Sequence, residues 1–452
     1  FTEKAFAANG ITIRWEGTGI DEKGYDAATG KMLVCVNPQW FRPTDVDNLW
    51  GDPTKAKTVL GWNPQSTTYE QLVEIMAKHD RERAKREKAL MQAKNLCFYL
   101  SDHGFGHIAR NIPLIAEAVR RIDGYVYVVC GKRHLEFAKA NLLELLTPEQ
   151  FSRIRYHAEH TDIGLILQQG TLLVDTAALT DACAQYLAER PERAKQEADW
   201  LRQHDVAAAL CDMPLWSISA CELAGVPLLY VGNFTWTELY REFLPEHIWK
   251  AYAAEYRKIR RGMLYALHNP EMLEFLPQAE LSETSLVARP FHPDEIRAIR
   301  ARHICPVVFV ALGMSAQFTQ PVSVEGVEAH FYVTEGVPLT GSNVTVIPYS
   351  TLHTQDYVAA ADYVITKAGW GTVAECLLAQ KPMALFARDS VLEDRTTIRK
   401  LGQKKLAIKV TYEQLTEMSE LLKQMKQITY PAVPEYHNAA AEIVSKLLTL
   451  TE

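Results

Sequence analysis

The chain has 452 residues, of which 48% are hydrophobic and 23% charged, and its formal net charge is −7. This length and apolar content suffice for two or three globular domains, and they argue against a disordered chain. The negative charge argues against a nucleic-acid-binding protein, which usually carries a basic domain. The eight cysteines form no CxxC pair, and no apolar run reaches the ~20 residues of a membrane span. Free thiols fit a reducing compartment, so we expect a cytoplasmic protein.

Residues 1–80 combine short strands with helices. Strands are predicted over 11–15 and 31–37, and the glycine-rich segment 16–26 between them is predicted to be a turn region. Two helices follow, and the second becomes highly charged, which is typical of a solvated helical linker and is assigned here to residues 81–94. Because the chain begins at Phe1 rather than Met, we expect it to be truncated or processed at its N-terminus.

Residues 95–300 and 301–432 each alternate continuous apolar strands with helical segments. This alternation is typical of a parallel sheet that is covered by helices on both faces. The sequence therefore predicts an α/β protein with two doubly wound, Rossmann-like domains. A small α+β fragment precedes them, and a C-terminal helix lies within residues 433–452.

The first glycine loop follows the predicted strand 95–100 and carries His103, Gly104, Gly106 and His107. Such a strand–helix junction lies at the carboxyl edge of a doubly wound sheet, where ligands bind, and the helix N-terminus suits a phosphate. Histidine is a natural base near neutral pH, so His107 is the candidate catalytic base. A plain structural turn is one alternative. A dinucleotide site is another, although Ala109 stands where the GxGxxG pattern ends.

The second glycine loop follows the predicted strand at 363–366 and carries Lys367, Gly369, Gly371, Thr372 and Glu375. It is again a junction that could cradle phosphates, with Thr372 predicted to cap the helix. The Glu375 carboxylate could accept both hydroxyl protons of a ribose, although an ordinary first-turn helix acid is the alternative. A further loop with Gly313 and Ser315 could touch the diphosphate.

The run AGWGTVAE, followed by Pro382 and by Asp394-Arg395, resembles the donor-site motif of the lipid II N-acetylglucosaminyltransferase and its clan of GT-B enzymes. The resemblance implies that Glu375 holds the ribose and that Gly369, Gly371 and Thr372 line the diphosphate. It also implies donor contacts from Asp394 and Arg395 and an acceptor-facing role for His107. Thr396 and Thr397 stand where that family has glutamines that contact the donor sugar.

Residues 95–430 bear a closer likeness to the N-terminal, glycosyltransferase-like half of plant-type L-arabinokinases. The likeness is carried by HGFGHIAR, by CDMPLWSISACELAGVP with VGNFTW, and by KAGWGTVAE. No sugar-kinase half follows residue 430 in this sequence. We expect acceptor binding at the strand ends and glycines of the first domain, namely His103, Gly104, Gly106, Asp212 and Asn233.

The first stretch is similar to the C-terminal end of GDP-mannose 4,6-dehydratases. In its FRPTDVD motif the resemblance implies GDP-sugar contacts for Arg42 and Asp45, where the family usually has Glu at position 45. NADP would be needed only by a complete dehydratase, whose cofactor motif and catalytic residues belong to the upstream half. The DVD tripeptide also matches a metal-binding DxD, but the dehydratase resemblance explains it, and no metal site is predicted.

The sequence thus predicts a glycosyltransferase that moves a sugar from a nucleotide-diphosphate donor to an acceptor hydroxyl, in cell-surface polysaccharide or nucleotide-sugar metabolism. The nucleotide sugar is a substrate, and no other cofactor is expected. The acceptor is a sugar or a lipid-linked molecule reached from the membrane surface, and no nucleic acid is expected. Two alternatives stay open: a non-catalytic sugar-nucleotide-binding module, and a truncated or fused GDP-mannose 4,6-dehydratase.

Overall fold

The computed structural model describes residues 1–38, 41, 51–63, 66–90, 94–169, 173–276, 280–312, 321–386, 388 and 391–451, with side chains omitted for 82–90. The chain divides into two compact units, Phe1–Ala89 and Leu90–Glu452. Four residues with predicted roles, Arg42, Asp45, Gly313 and Ser315, lie outside the described residues, so those roles stay predictions.

The first unit contains a three-stranded antiparallel sheet in the order β1-β2-β3. Its elements are α1 (Thr2–Ala7), β1 (Ile13–Glu16), β2 (Lys23–Asp26), β3 (Met32–Cys35), α2 (Thr54–Leu60) and α3 (Tyr69–Leu90). The prediction of a turn throughout 16–26 is wrong, because β2 lies inside that segment. Gly24 of β2 pairs with Trp15, and a Cβ at Gly24 would come within 3.1 Å of the Trp15 ring. Gly24 therefore allows the two strands to pack closely at this point and does not form a turn.

The second unit begins with a seven-stranded parallel sheet in the order β10-β9-β8-β7-β4-β5-β6. Its strands are β4 (Asn95–Leu100), β5 (Val126–Cys130), β6 (Ile154–Ala158), β7 (Val206–Asp212), β8 (Leu228–Gly232), β9 (Gly262–Tyr265) and β10 (Leu281–Thr284). The central strands are almost completely buried, as expected for a sheet covered on both faces.

A six-stranded parallel sheet follows in the order β15-β13-β11-β16-β17-β18. Its strands are β11 (Val307–Ala311), β13 (His330–Thr334), β15 (Val344–Ile347), β16 (Tyr363–Lys367), β17 (Met383–Phe386) and β18 (Ala407–Val410). The short strands β12 (Val322–Ser323) and β14 (Leu339–Thr340) pair with each other beside it. The unit therefore holds two parallel sheets in succession, which makes it a pair of Rossmann-like halves.

The helices of the second unit cover both sheets. They are α4 (Phe105–Arg121), α5 (Lys132–Leu145), α6 (Pro148–Phe151), α7 (Thr176–Gln203), α8 (Leu215–Ala224), α9 (Trp236–Tyr240), α10 (Glu246–Tyr256), α11 (Pro293–Ala301), α12 (Thr354–Ala360), α13 (Trp370–Leu378), α14 (Leu392–Gln403), α15 (Tyr412–Thr416), α16 (Met418–Met425) and α17 (Ala440–Thr449). Within the described part of the chain, none of the helices has both the length and the apolar character of a membrane span.

The last helix, α17, returns to the first sheet after the chain has completed the second. It packs against α4, and Arg121 donates a hydrogen bond of 2.7 Å to the Ser445 hydroxyl. The two glycine loops lie at corresponding places, since one follows β4 and the other follows β16. Both loops are therefore at the carboxyl edges of their sheets, where ligands bind in doubly wound folds.

Candidate active site

The first glycine loop turns from β4 into α4 through a backbone conformation that favours glycine. Gly104 is the N-cap of α4 and has φ 80° and ψ 161°. Residues other than glycine rarely adopt this backbone conformation, because their Cβ atom would clash with the local backbone. His107 follows on the first turn of α4 and is 8% exposed. The loop conformation therefore fixes where His107 stands at the carboxyl edge of the sheet.

His107 is part of a buried network centred on Asp212 at the end of β7. Its Nδ1 atom lies 2.9 Å from Oδ1 of Asp212. Arg110 donates from Nε to Oδ2 of Asp212 at 2.7 Å and also donates from Nη2 to Oδ1. Asn111 donates to the same Oδ2 at 2.6 Å. Three side chains thus converge on one carboxylate, and α4 supplies all three.

The network sets the charge states of its members. Burial and the neighbouring Arg110 lower the pKa of His107, so its imidazole is neutral at physiological pH. Burial alone would raise the pKa of Asp212, but Arg110 and His107 outweigh it and hold that pKa well below its usual range. Nδ1 of His107 lies 2.9 Å from Oδ1 of Asp212 and also 2.9 Å from Nη2 of Arg110, so these contacts fit either neutral tautomer. The tautomer with its hydrogen on Nδ1 donates to Asp212. Its Nε2 atom is then a proton acceptor.

Two residues with predicted acceptor contacts belong to this network. Asp212 is fully buried, and its two oxygens already accept hydrogen bonds from α4. Asn233 is 4% exposed, and its Oδ1 accepts from Nη1 of Arg110 at 3.2 Å. Both side chains are thus held by protein partners, and their predicted contacts with the acceptor stay predictions.

His103, the other loop histidine, packs edge-to-face against Trp236 with ring centroids 5.3 Å apart. Burial and the nearby charge of Lys367 lower the pKa of His103 to about 3, so His103 is uncharged. Trp236 itself is buried in the core. Gly106 stands on the open side of the loop, since a Cβ there would have no atom within 4 Å. Gly104 has equally open space around its Cβ position, so both glycines leave room for a ligand.

The second glycine loop enters α13 without a side-chain cap. The N-cap is Gly369 and α13 begins at Trp370, so the prediction that Thr372 caps this helix is wrong. Thr372 is the third helical residue, one turn too late to bond its own helix end. The N–H groups of the first turn consequently receive no side-chain cap, which is the arrangement that suits an anion.

Lys367 stands at the end of β16 beside this helix start. Its ammonium forms no hydrogen bond or ion pair with any residue that the structure describes, and the side chain is only partly exposed. Burial and the nearby Arg388 lower the pKa of Lys367. A partly buried cation without a partner is unfavourable unless a ligand supplies the opposite charge.

Glu375 lies on the buried side of α13 and pairs with Arg289, a residue that the sequence reasoning missed. Arg289 approaches Oε1 of Glu375 from Nη2 at 3.0 Å and from Nε at 3.3 Å, and both side chains are under 10% exposed. Burial raises the pKa of Glu375, and Arg289 opposes that shift. Among the described residues, no donor reaches the second oxygen, Oε2, which keeps its capacity to accept a hydrogen bond.

Asp394 and Arg395, both predicted to contact the donor, are held by protein partners. Asp394 is 1% exposed and accepts from Arg388 at Nε (3.0 Å) and Nη2 (2.8 Å). Arg395 donates to Glu242, which follows α9 of the first sheet. Asp394 therefore positions Arg388 beside Lys367, and Arg395 ties the two halves of the unit together.

The two glycine loops face each other directly. A Cβ atom added to Gly371 would lie 3.5 Å from Cα of Gly106. The start of α13 and the start of α4 therefore meet across the cleft between the sheets. Lys367 stands on one side of this meeting point and the His107–Asp212 pair on the other.

Family models match two parts of the chain. Residues 308–450 match the glycosyltransferase family 28 C-terminal domain, and residues 1–76 match GDP-mannose 4,6 dehydratase. The GDP-mannose 4,6-dehydratase of Sinorhizobium fredii (strain HH103) is 51% identical over 76 residues, which are 17% of this chain and 22% of that protein. The Homo sapiens protein is 45% identical over 80 residues, 18% and 21% of the two chains. The chain thus spans about a fifth of the length of these curated relatives.

Solved structures resemble the second unit. UGT2 of Phytolacca americana, complexed with UDP-2fluoro-glucose and pterostilbene, has a TM-score of 0.54 at 11% identity and covers 79% of this chain and 100% of its own. CalG4, the calicheamicin glycosyltransferase, has a TM-score of 0.51 at 14% identity and covers 80% and 94%. At such identities the likeness establishes the fold, which is GT-B. Residues 94–451 thus have the GT-B fold of glycosyltransferases, the segment 308–450 matches the glycosyltransferase family 28 C-terminal domain, and residues 1–76 match GDP-mannose 4,6 dehydratase.

Proposed function

We propose that residues 94–451 transfer a sugar from a nucleoside diphosphate to an acceptor hydroxyl in the cleft between the two parallel sheets. The observation that carries the proposal is the meeting of the two glycine loops, with Gly371 against Gly106. This contact brings the start of α13, which has no side-chain cap, next to the start of α4, which carries His107, and it supports the assignment of His107 as the base. The match to the family 28 C-terminal domain includes Lys367, and it supports a donor bound beside Lys367 with the acceptor beside His107.

The donor half of the site is built from the end of β16 and the start of α13. The glycines Gly369 and Gly371 let a diphosphate approach the free backbone N–H groups, whose partial positive charge stabilises it. Lys367 adds a full positive charge to the partial charges of these N–H groups, and its ammonium can pair with the diphosphate. Glu375 would hold the ribose through its free oxygen, Oε2, while Arg289 fixes the carboxylate from the other side.

The acceptor half is built around His107. Its Nε2 takes the proton of the acceptor hydroxyl as the oxygen attacks the anomeric carbon, and Asp212 stabilises the imidazolium that forms. The bond between the anomeric carbon and the diphosphate oxygen breaks at the same time. The nucleoside diphosphate leaves with its added negative charge held by Lys367 and the start of α13.

A thermal-shift screen with UDP-, GDP-, CMP- and dTDP-sugars tests the proposal. A ligand that binds the native state stabilises it by roughly 2.7 kcal/mol when present at a hundred times its Kd. We expect one nucleotide class to raise the melting temperature clearly above the others. The protein should release the nucleoside diphosphate from that nucleotide sugar slowly, and an added acceptor should accelerate the release. Binding without any turnover would favour a non-catalytic sugar-nucleotide-binding module, and no response to any of the four classes would contradict the donor site.

A further inference from the structure

A second cluster of polar side chains lies in the half that follows β10, apart from the two glycine loops. His292 is the N-cap of α11, His353 is the N-cap of α12, and Asp356 lies in the first turn of α12. One nitrogen of each histidine and one carboxylate oxygen of Asp356 all lie within 4.8 Å of one another. No local pattern in the sequence indicates this cluster, because three strands of the second sheet separate the two histidines along the chain.

The cluster is held in place by the fold. Asp356 is 1% exposed, and its Oδ1 accepts the backbone N–H of His292 at 2.9 Å while its Oδ2 lies 2.8 Å from Nδ1 of the same residue. The rings of His292 and His353 pack edge-to-face with centroids 4.5 Å apart. Because the histidine side chains keep about a third of their surface exposed, the cluster is accessible from solvent.

A fourth side chain orients the cluster from the other half of the unit. Glu144, near the end of α5, has its Oε2 atom 2.6 Å from Nε2 of His353. Metal-binding histidines commonly donate their second ring N–H to a carboxylate, which fixes the ring and increases its basicity. Glu144 stands where such an outer partner belongs, and its contact with His353 joins the two sheets.

We propose that His292, His353 and Asp356 bind a divalent zinc-like ion, with Glu144 positioning His353. Two imidazoles and a carboxylate are the ligand types of zinc, whereas magnesium and calcium prefer oxygen ligands alone. Tetrahedral bonds of about 2.0–2.2 Å to one zinc ion place the ligand atoms roughly 3.3–3.6 Å apart. The present separations, which are within 4.8 Å, must therefore shrink by at most roughly 1.5 Å through movements of the side chains. A water molecule would fill the remaining position. The proposed sugar transfer requires no step at this ion.

The test is zinc binding by the full chain with any affinity tag removed. Competition with a chromogenic chelator should show one tightly bound Zn²⁺ per chain, and ZnCl₂ but not MgCl₂ should raise the melting temperature. His353→Ala and His292→Ala should each weaken the affinity at least tenfold. Glu144→Gln should weaken the zinc affinity by roughly tenfold, and each histidine variant should weaken it more than that, since Glu144→Gln removes only the outer partner.

The matched control is His330→Ala. His330 and His303 also form a close ring pair, with centroids 3.9 Å apart, but His330 contacts the hydroxyl of Thr345 and His303 contacts the hydroxyl of Tyr332. Zinc affinity of this variant should equal that of the wild type. The proposal is overturned if the wild-type chain binds no zinc, if His353→Ala and His292→Ala bind it as the wild type does, or if His330→Ala alone loses it. Melting temperatures without metal establish that each variant is folded.

Discussion

At the scale of single residues, two buried ion pairs hold the candidate site: Arg110 with Asp212 beside His107, and Arg289 with Glu375. His107, Lys367 and Glu375 were recognisable because each sits in or beside a glycine loop between a strand and a helix. Arg110 and Arg289 were not, because the carboxylates that they pair with lie on different elements, far away in the chain. Partner choice of this kind is decided by tertiary packing, which local patterns do not report. The partners of Asp212, which are His107, Arg110 and Asn111, became visible only in the structure.

Replacing the base should remove turnover but leave donor binding intact. A general base contributes on the order of 10²- to 10⁴-fold to the rate, so His107→Ala should lower kcat by that factor. Donor affinity, measured by calorimetry, should stay within twofold of the wild type. His437→Ala is the control, since that side chain is exposed and far along the chain. Equal kcat in the two variants would exclude His107 as the base.

The pH profile should carry the signature of His107. The base works only when its imidazole is neutral, and burial with Arg110 lowers its pKa below the ordinary 6.5. Transfer should therefore be independent of pH from 7 to 8 and should decline on acidification, with a midpoint below pH 6.5. Initial rates at saturating donor give this profile. An acidic limb with its midpoint above pH 7 would be incompatible with this assignment.

Replacing Lys367 should weaken donor binding without lowering the stability of the free protein. A hydrogen bond to a charged group is worth about 1.5–3 kcal/mol, so Lys367→Met should weaken donor binding by roughly 10- to 100-fold. The melting temperature of the free protein should not fall, because the substitution removes a partly buried cation that has no partner among the described residues. Lys423→Met, on the exposed face of α16, is the matched control. A variant that loses stability but binds donor normally would show that Lys367 is structural.

At the scale of secondary-structure elements, continuous apolar runs predicted the central strands well. β4, β5, β7 and β8 are buried on both faces and therefore consist almost wholly of apolar residues. β6, β9 and β10 were missed, because edge strands and short strands need fewer apolar residues. The start of α13 was also misassigned: a threonine in the first turn suggested a cap, but the chain uses a glycine N-cap that leaves the N–H groups free.

The two glycines of the first loop should respond differently to alanine. Gly104 has φ 80°, so Gly104→Ala should lower the free energy of unfolding by on the order of 1–3 kcal/mol. Gly106 is a helical residue with open space around its Cβ position, so Gly106→Ala should leave stability unchanged or raise it by about 0.5–1 kcal/mol. The added methyl should nevertheless impair ligand binding in the cleft. Urea unfolding and donor calorimetry of both variants measure these effects, and a stability loss at Gly106 larger than at Gly104 would refute the assignment of roles.

At the scale of the whole molecule, the chain consists of two compact units with different likenesses. The GT-B fold of the second unit was predictable because its two strand–helix series are long and regular. The order of strands and the return of α17 to α4 were not, since they depend on which helix faces fit together. The residues of the proposed transferase site all lie in the second unit.

Deleting residues 1–90 should therefore leave the proposed transferase intact. Every described contact of His107, Lys367, Glu375 and Arg289 lies within the second unit. The shortened chain should bind the donor with a Kd within threefold of the full chain and should show the same kcat. A tenfold loss of donor affinity in a folded shortened chain would show that the first unit takes part in the site.

The central claim is that the start of α13 binds a nucleoside diphosphate sugar, with Glu375 on its ribose. The most direct measurement is the Kd of the nucleotide sugar selected by thermal shift, for the wild type, Glu375→Gln and the exposed control Glu420→Gln. The account predicts that Glu375→Gln weakens binding at least tenfold while Glu420→Gln binds as the wild type does. Equal affinity of all three folded proteins would contradict it.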